Sequence, residues 1–264
     1  MKILLINPAN PISSGRDLYS GEILSNLVRL RPFRKGYFGL PLALPTLAGL
    51  TPKHHTVRIV DEHVEKINFD ENVDLVGLTA MTFKAKRAYE IAAEFRRRGV
   101  TVVMGGIHAT VATDEVAAHV DSVVVGEADE TWPQVIADFE SGQLKKRYIL
   151  KELPDISKLP PPDHAVSKYR NYAEIYLQTA RGCPFRCSFC TVTEISGRKM
   201  RFKTPEQVID EVDRVIKLKP MNGMWVKSGH SGKYARFKGA LFFTDDNFAI
   251  NRKHALAVCQ ALTH

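Results

Sequence analysis

The sequence predicts an α/β protein whose N-terminal half is a parallel sheet with helices on both faces. Five short apolar runs alternate with stretches of helical periodicity, and each run is apolar nearly throughout instead of at every second residue. Strands of that kind are buried on both faces, and covering helices are what bury them. Most of the runs end at Asn-Pro, Asp or Gly, which are turn signals.

The elements of this half follow from these patterns in chain order. Strands are predicted at residues 2–6, 56–60, 73–78, 100–104 and 122–125. Helices are predicted at residues 42–50, 84–98 and 131–140. Residues 9–40 are rich in Gly, Pro, Ser and Arg, and we expect a long loop there, of a kind that often covers a ligand.

The C-terminal half starts with an apolar run at residues 175–177, which predicts a further strand. Thr204-Pro205 then opens a helix, because Thr is a good N-cap and Pro suits the first helical position. Residues 221–238 form a glycine-rich, basic insertion, and a second strand is predicted at residues 240–243. Between the halves, residues 146–174 contain several prolines, as expected of a semi-rigid linker.

Three of the four cysteines lie together just after the run at residues 175–177. Cys183, Cys187 and Cys190 have the spacing Cys-x3-Cys-x2-Cys. Thiolates are soft ligands, and a loop this short can place them on one face of an iron–sulfur cluster with one iron left open. Structural zinc normally takes four ligands, and no second Cys/His pair follows at a suitable distance. Cys259 falls in an apolar helical pattern, and we expect it to be a small buried residue.

Composition and charge are those of an ordinary globular protein. The 264 residues are 44% hydrophobic and 25% charged, and no apolar run is long enough to span a bilayer. Pro8 interrupts the N-terminal apolar run too early for a secretion signal, so we expect a cytoplasmic location. The net charge of +8 lies in scattered clusters, which suits solvated surface, leaves room for an anionic substrate or membrane surface, and predicts no nucleic-acid partner.

At residues 181–190 the chain resembles the radical S-adenosylmethionine (SAM) enzymes. Their loop after the first barrel strand has this cysteine spacing, with an aromatic residue, here Phe189, before the last cysteine. The resemblance implies a [4Fe-4S] cluster on the three cysteines and SAM on the open iron. It also implies a small organic substrate and an electron donor such as flavodoxin or ferredoxin.

The same resemblance assigns the SAM contacts to three residues of this sequence. These are Phe189 and the acidic pair Asp245 and Asp246, which follow the strand predicted at residues 240–243. Active-site groups are commonly built at such strand ends. An equally good explanation is that Asp246 or Asn247 caps the next helix.

A Rossmann-like half followed by this loop resembles the cobalamin-dependent radical SAM enzymes over nearly the whole chain. Gly-Gly-Ile-His-Ala-Thr follows the fourth predicted strand, and Gly-Glu-Ala-Asp-Glu-Thr follows the fifth. The resemblance implies a cobalamin over the strand ends, with contacts from Thr79, Thr82, Gly105, Gly106, Gly126 and Glu127. Taken alone, the glycines are also explained by tight turns between strands and helices.

The Asp-x-His-x-x-Gly signature, through which other cobalamin domains ligate cobalt, is absent from this sequence. Asp61-Glu62-His63 has the wrong spacing and no following glycine. His108 is expected to be a polar residue at a turn, because lone histidines are seldom ligands. The resemblance then implies cobalt without a protein histidine.

The predicted organisation is a Rossmann-like B12-binding domain at residues 1–145, a linker at 146–174 and an incomplete radical SAM domain at 175–264. The last segment would be the first βα units of a partial TIM-type barrel. The resembled enzymes have about six such units and this sequence has two, so we expect a C-terminally truncated chain with an apolar edge at residues 240–243.

The function implied by the resemblance is radical C-methylation, or related carbon–carbon bond or ring formation, on an organic substrate. A lipid substrate would imply peripheral membrane association. One alternative is a methylthiotransferase, but those carry further cluster cysteines in the first half, and residues 1–182 contain none. The other alternative is a non-catalytic corrinoid and iron–sulfur binding protein, or an inactive fragment.

Overall fold

The computed structural model describes residues 1–9, 39–168, 172, 174–218, 224–227, 234–237 and 240–262. The long loop predicted at residues 9–40 therefore lies almost entirely outside the described residues. The same holds for most of the insertion predicted at residues 221–238.

A six-stranded parallel sheet forms the N-terminal half and confirms the predicted α/β class. Its strands are β1 (Lys2–Asn7), β2 (Thr56–Asp61), β3 (Leu75–Thr79), β4 (Thr101–Gly105), β5 (Ser122–Val125) and β6 (Arg147–Ile149). The order across the sheet is β2-β1-β3-β4-β5-β6, so the direction of winding reverses between β1 and β3. Ligands of open parallel sheets bind at the carboxyl ends of the strands near such a reversal.

The sixth strand lies in the stretch that the sequence assigns to the linker. β6 pairs with β5 through Arg147, Tyr148 and Ile149, and only Tyr148 is buried. A strand of three residues with one buried side chain gives no readable apolar pattern, which explains why it was not predicted. The domain boundary at residue 145 stays a prediction.

Helices cover both faces of this sheet. They are α1 (Ala43–Leu50), α2 (Ala85–Arg97), α3 (Ile107–Val111), α4 (Thr113–His119) and α5 (Thr131–Glu140). On one face, α2 buries Ile91 and Phe95 against strand residues that include Met104. On the other, α1 and α5 pack Leu44 and Trp132 against the sheet. Fully burying one such large side chain contributes about 1.5–3 kcal/mol.

The C-terminal half contains smaller sheets. β7 (Glu174–Leu177) pairs in parallel with β12 (Ala240–Phe243), and β8 (Ala180–Arg181) pairs antiparallel with β9 (Arg201–Phe202). β10 (Met224–Lys227) and β11 (Tyr234–Phe237) form an antiparallel pair. The helices are α6 (Val192–Ile195), α7 (Pro205–Lys217) and α8 (Arg252–Ala261).

Two local predictions in this half have opposite outcomes. Thr204 caps α7 as predicted, and it forms a capping box in which its hydroxyl accepts from the Gln207 amide. Cys259 was expected to be buried, and this is wrong, because its thiol lies on the exposed side of α8. The helical pattern around Cys259 did not distinguish the buried side of α8, where Val258 lies, from its neighbours.

The segment between the halves packs directly on α1. The amide of Asp163 donates to the carbonyl of Pro45 at 2.8 Å. A side chain at Gly49 would meet the Pro161 carbonyl oxygen, so the glycine allows this close approach. Among the helices that the structure describes, none combines the length and apolar character that a bilayer crossing requires.

Candidate functional site

A cavity of about 310 Å³ opens at the carboxyl ends of β3, β4 and β5. Strand ends and α1 supply most of its lining, and residues on either side of the cysteines in sequence, among them Arg181 and Ile195, supply part of the rest. Five of the six predicted cobalamin contacts line it, namely Thr79, Gly105, Gly106, Gly126 and Glu127. The fold therefore brings together residues from three successive strand ends.

The glycines at this edge have local structural reasons as well. Gly106 has a φ of 92°, and an added Cβ would lie 2.6 Å from the Thr79 hydroxyl oxygen. Gly126 has a φ of 85°. Both backbones are in the left-handed region that favours glycine. Tight turns thus account for these two glycines, and their presence alone does not require a ligand.

Thr82 is the predicted contact that the structure does not bring to the cavity. It lies in a short 3₁₀ turn after β3, at residues 82–84, and is exposed. Its neighbours Met81 and Phe83 are also about half exposed. This turn closely follows Thr79, which lines the cavity, but the turn itself contributes no residue to the lining.

Glu127 belongs to a buried ion-pair network that joins the two halves of the chain. Its carboxylate accepts from Arg181 at 2.9 Å and from Arg201 at 2.8 Å. Arg181 also donates to both carboxylate oxygens of Asp129, at 2.7 and 3.2 Å. Arg201 donates further to the carbonyl of Pro154. We call these four residues, Glu127, Asp129, Arg181 and Arg201, the inter-half network.

Charge is balanced within the inter-half network. Burial disfavours the charged guanidinium of Arg181, but Asp129 and Glu127 outweigh burial and raise the pKa of Arg181 above its usual value. Glu127, Asp129 and Arg181 also line the cavity. The network was not predicted, although an Arg between an apolar strand and the cysteines, Arg181, was a signal that could have suggested it.

The cysteine loop, residues 182–190, starts at the wall of the cavity. Cys183 and Cys190 are partly buried and Cys187 is exposed, and all three are free thiols. The amide of Cys183 donates to the carbonyl of Gly197 at 3.2 Å, and that of Cys190 to the carbonyl of Cys187 at 3.1 Å. Phe189, the predicted aromatic SAM contact, is 89% exposed and lies outside the cavity lining.

The acidic pair after β12 holds the backbone that leads into the cysteine loop. One oxygen of Asp245 accepts from the Thr179 amide and hydroxyl, both at 2.9 Å, and from the Ala180 amide. Asp246 accepts from the Gly182 amide at 2.9 Å. The capping alternative is wrong, because Asn251 caps α8 by accepting from the His254 amide.

The second oxygen of Asp245, Oδ2, is buried and has no hydrogen-bond partner among the described residues. Burial raises the pKa of Asp245 despite the hydrogen bonds from Thr179 and Ala180. A buried acceptor without a partner is unusual in a native site. It therefore marks the end of β12 as a place where a donor from a bound molecule would fit.

The histidines considered as cobalt ligands lie in other surroundings. Nδ1 of His63 is 2.8 Å from a carboxylate oxygen of Asp61. His108 was expected to be a polar turn residue, and this is wrong, because it is buried in α3 with its Nε2 2.8 Å from the Tyr89 hydroxyl. None of the described residues that line the cavity is a histidine.

The donor sets present fit the implied cofactors in part. Three free thiols in one short loop are the ligands that an iron–sulfur cluster requires. The cavity at the strand ends is at the lower end of the usual range for small-molecule sites, about 300–1,000 Å³. A corrinoid would therefore extend out of it toward the mouth.

Comparisons with known proteins agree with this arrangement. Residues 36–136 match the family model of the B12 binding domain. Bacteriochlorophyllide d C-8(2)-methyltransferase of Chlorobaculum tepidum is 39% identical over 220 residues, which is 80% of this chain and 47% of the relative. Hopanoid C-2 methylase of Rhodopseudomonas palustris is 26% identical over 261 residues, or 97% of this chain and 45% of the relative.

Solved structures share the fold over almost the entire chain. The cobalamin-dependent SAM radical enzyme OxsB, with aqua-cobalamin and SAM bound, has a TM-score of 0.69 at 17% identity, covering 99% of this chain and 37% of its own. The radical SAM methyltransferase TsrM from Kitasatospora setae has a TM-score of 0.65 at 16% identity, covering 98% and 50%. This chain spans about half the length of the curated relatives it matches.

Fold and site together define a class of protein in which a B12-binding α/β domain is followed by a three-cysteine loop at the end of its cavity. Residues 36–136 match the B12 binding domain, and the chain as a whole is similar in sequence to methyltransferases of this layout and in fold to cobalamin-dependent radical SAM enzymes.

Proposed function

We propose that this protein binds a [4Fe-4S] cluster, SAM and cobalamin and methylates a carbon atom of a tetrapyrrole. The observation that carries the proposal is the shared cavity. Its lining includes the ends of β3, β4 and β5 together with Gln178 and Arg181, which precede the cysteine loop, and Thr244, whose amide donates to the carbonyl of Leu177. A ligand at the strand ends would therefore face a cluster held by the loop.

Under this proposal each cofactor has its own set of residues. Cys183, Cys187 and Cys190 ligate the cluster, and Phe189, Asp245 and Asp246 lie on the SAM side. The corrinoid contacts are Thr79, Thr82, Gly105, Gly106, Gly126 and Glu127. When bound, these cofactors supply radical and methyl-transfer chemistry that side chains cannot perform.

The chain's own residues position the loop and exclude water. The inter-half network fixes Arg181 against Asp129, so the loop starts at a defined place beside the strand ends. Leu44, Leu47 and Trp132 give the cavity an apolar wall. A dry, preorganised site strengthens electrostatic interactions and limits side reactions. The proposed domain division, with 1–145 and 175–264 on either side of a linker, puts the cavity between the two domains.

The substrate class is inferred from the relatives. Two bacteriochlorophyllide d methyltransferases of Chlorobaculum tepidum are 39% and 29% identical to this chain. An anaerobic magnesium-protoporphyrin IX monomethyl ester cyclase of Rubrivivax gelatinosus is 27% identical, so ring formation on a tetrapyrrole is the second candidate. The methylthiotransferase alternative is not favoured.

Partners and location follow from the same chemistry. Reduction of the cluster requires an electron donor, and a reduced flavodoxin or ferredoxin is proposed for this role. Free thiols and an oxygen-sensitive cluster suit a reducing cytoplasm. The name of one relative, the hopanoid C-2 methylase, gives a hopanoid for that protein. If the substrate of this chain is a lipid, peripheral membrane contact follows.

The test is anaerobic reconstitution of the full chain with iron, sulfide and hydroxocobalamin. We expect the optical and electron paramagnetic resonance spectra of a [4Fe-4S] cluster, with one corrinoid retained per chain. Cys187→Ala should lose the cluster signal, and Cys259→Ala, the matched control outside the loop, should keep it. A Cys187→Ala sample with an undiminished cluster would contradict the ligand assignment.

Turnover separates the enzyme from a binding protein. Reduced, loaded protein with SAM should form 5′-deoxyadenosine, and with a bacteriochlorophyllide it should give a product in which a methyl group replaces one hydrogen, so that the product is heavier by CH2. A product of unchanged carbon count with a new ring would support the cyclase candidate. Absence of 5′-deoxyadenosine in a fully loaded sample would support the non-catalytic binding protein or inactive fragment.

A further inference from the structure

His54, His55 and Glu140 bring three metal-ligating atoms together far from the cysteines in sequence. The two histidines lie in the turn between α1 and β2, and Glu140 is the last residue of α5. The three ligand atoms all lie within 4.8 Å of one another. Since β2 begins at Thr56, this cluster is at the amino ends of the strands, opposite the cavity.

The spacing of these atoms suits a tetrahedral metal ion. Nε2 of His54 is 3.8 Å, and Nε2 of His55 is 3.4 Å, from the same carboxylate oxygen of Glu140. Zinc binds nitrogen and oxygen at about 2.0–2.2 Å, so ligand atoms around a tetrahedral zinc are about 3.3 Å apart. The two histidine nitrogens are at most 4.8 Å apart, and rotation of the exposed His54 side chain toward His55 and Glu140 would complete the geometry.

A second, independent observation comes from His55. Its side chain has no exposed surface, and its Nε2 makes no hydrogen bond in the part of the chain that the structure describes. A buried polar atom without a partner is disfavoured unless something satisfies it. Nε2 of His55 faces the Glu140 carboxylate but makes no hydrogen bond with it. A metal ion between the two side chains would accept the lone pair of Nε2.

The other ring nitrogen of His55 is compatible with this role. Nδ1 lies 3.2 Å from the amino group of Met1. This contact holds the imidazole ring in place while Nε2 faces Glu140. Metal-binding histidines commonly have their second nitrogen fixed in this way.

The local electrostatics also favour a cation. Glu140 ends α5, and the last carbonyls of a helix carry partial negative charge. The side chains of His54 and Glu140 are 69% and 42% exposed, so an ion and its water can reach the cluster from solvent. Two imidazoles and one carboxylate, with water as the fourth ligand, form a donor set that zinc accepts, and no thiolate is required.

We propose that His54, His55 and Glu140 bind one Zn²⁺ ion in a site that fastens the α1–β2 turn to the end of α5. The ion would stabilise the B12-binding half from the edge opposite the cofactor cavity. Because none of these residues lines that cavity, the site stands independently of the proposed function.

The experiment uses the untagged full chain after its iron–sulfur cluster has been loaded, so that the cysteine thiols are occupied. Zinc is titrated anaerobically and measured by elemental analysis after equilibrium dialysis. We expect one zinc per chain in the wild type. His54→Ala and Glu140→Gln should weaken zinc binding at least about 100-fold, since even loss of an outer hydrogen-bond partner of a metal ligand costs about 10–100-fold.

Both substitutions fall on exposed side chains, so the variants should fold, and thermal unfolding without zinc verifies this. Glu152→Gln, at an exposed glutamate elsewhere, is the matched control and should bind zinc as the wild type does. Added zinc should raise the unfolding temperature of the wild type and of this control only. The proposal would be overturned if both ligand variants bound zinc with the affinity of the wild type. It would also be overturned if the wild type bound no zinc.

Discussion

Asp61, at the carboxyl end of β2, links the sheet to the segment that precedes the second half. One of its oxygens accepts from the His63 amide at 3.0 Å, and the other accepts from the Tyr172 hydroxyl at 2.9 Å. Burial by itself raises the pKa of Asp61, but the hydrogen bonds from His63 and Tyr172 outweigh burial and hold it below its ordinary 3.8. The folded state therefore favours the ionised carboxylate.

The sign of the resulting pH dependence follows from linkage. Because the folded pKa of Asp61 is depressed, its contribution to stability is fully present above pH 3.8 and is lost as the pH falls through the lower folded value. Tyr172→Phe should lower the free energy of unfolding by about 1.5–3 kcal/mol at pH 7, the range for hydrogen bonds to charged groups. The difference from wild type should shrink below about pH 4.

Urea denaturation at pH 7, 5 and 3.5, followed by circular dichroism, measures this prediction. The matched control is Tyr148→Phe, whose hydroxyl donates to the more exposed Asp138 at 2.8 Å. Its effect should be smaller. Equal effects of the two substitutions, or an effect of Tyr172→Phe that does not change with pH, would show that Tyr172 does not act through Asp61.

For individual residues, the sequence predicts metal-ligand chemistry better than it predicts which side chains contact one another. The spacing of Cys183, Cys187 and Cys190 indicates its chemistry directly, because soft ligands close in sequence are close in space. The partnership of Asp61 with Tyr172 spans 111 residues and leaves no periodic trace in the sequence. The burial of His108 beneath Tyr89 was missed for the same reason.

The turn after β12 fixes the start of the cysteine loop. This attachment depends on the pairing of β12 with β7. β12 pairs with β7, so Asp245 arrives beside Thr179 and Ala180, just past the end of β7. A single carboxylate oxygen then satisfies two backbone amides and one hydroxyl. The backbone that leads to Cys183 is therefore held by side chains of a different strand end.

Asp245→Ala should loosen this attachment. The amides of Thr179 and Ala180 lose their acceptor, and an unsatisfied buried group costs about 1–3 kcal/mol. We expect a loss of that size in the free energy of unfolding, together with less iron retained per chain after reconstitution and gel filtration. Asn247→Ala, in the same turn, is the control and should keep wild-type iron content; equal iron content in both variants would contradict the role of Asp245.

Whether a helix or strand could be predicted from the sequence depended mainly on its length. Strands such as β5 (Ser122–Val125) and helices such as α5 (Thr131–Glu140) have the predicted bounds because each shows a complete apolar pattern. β6, β8 and β9 have two or three residues each and show none. α3, which begins directly after Gly105-Gly106, and α4, which follows it after one residue, were also missed, because helices of five and seven residues are too short to show a helical period.

The two halves of the molecule are joined through buried charges. Arg181 of the second half is 13% exposed and pairs with Glu127 and Asp129, which follow β5 in the first half and are 8% and 5% exposed. The order of the halves follows from the order of motifs in the sequence, but this contact does not. Glu127 and Arg181 are 54 residues apart, and a lone charge at a turn is ordinarily interpreted as solvated surface.

Arg181→Ala tests whether this network couples the halves. Removing one partner of a buried ion pair leaves uncompensated charge and costs about 3–5 kcal/mol. The remaining carboxylates, Glu127 and Asp129, would repel one another, and Arg201 alone would neutralise only part of their charge. We therefore expect one cooperative urea transition in the wild type and two separated transitions in Arg181→Ala, the less stable one belonging to the C-terminal half.

The assignment of the two transitions comes from limited proteolysis, in which the C-terminal half of Arg181→Ala should be cut at lower urea concentrations than the sheet. Arg96→Ala is the matched control, since its pair with Asp121 is 40% and 32% exposed and such pairs contribute at most about 1 kcal/mol. The double variant Arg181→Ala/Asp129→Ala should be less destabilised than the sum of the single variants, because it removes both charges of one pair. Additive effects, or a single transition in Arg181→Ala at wild-type stability, would show that apolar packing around α1 and Gly49 holds the halves together without the charges.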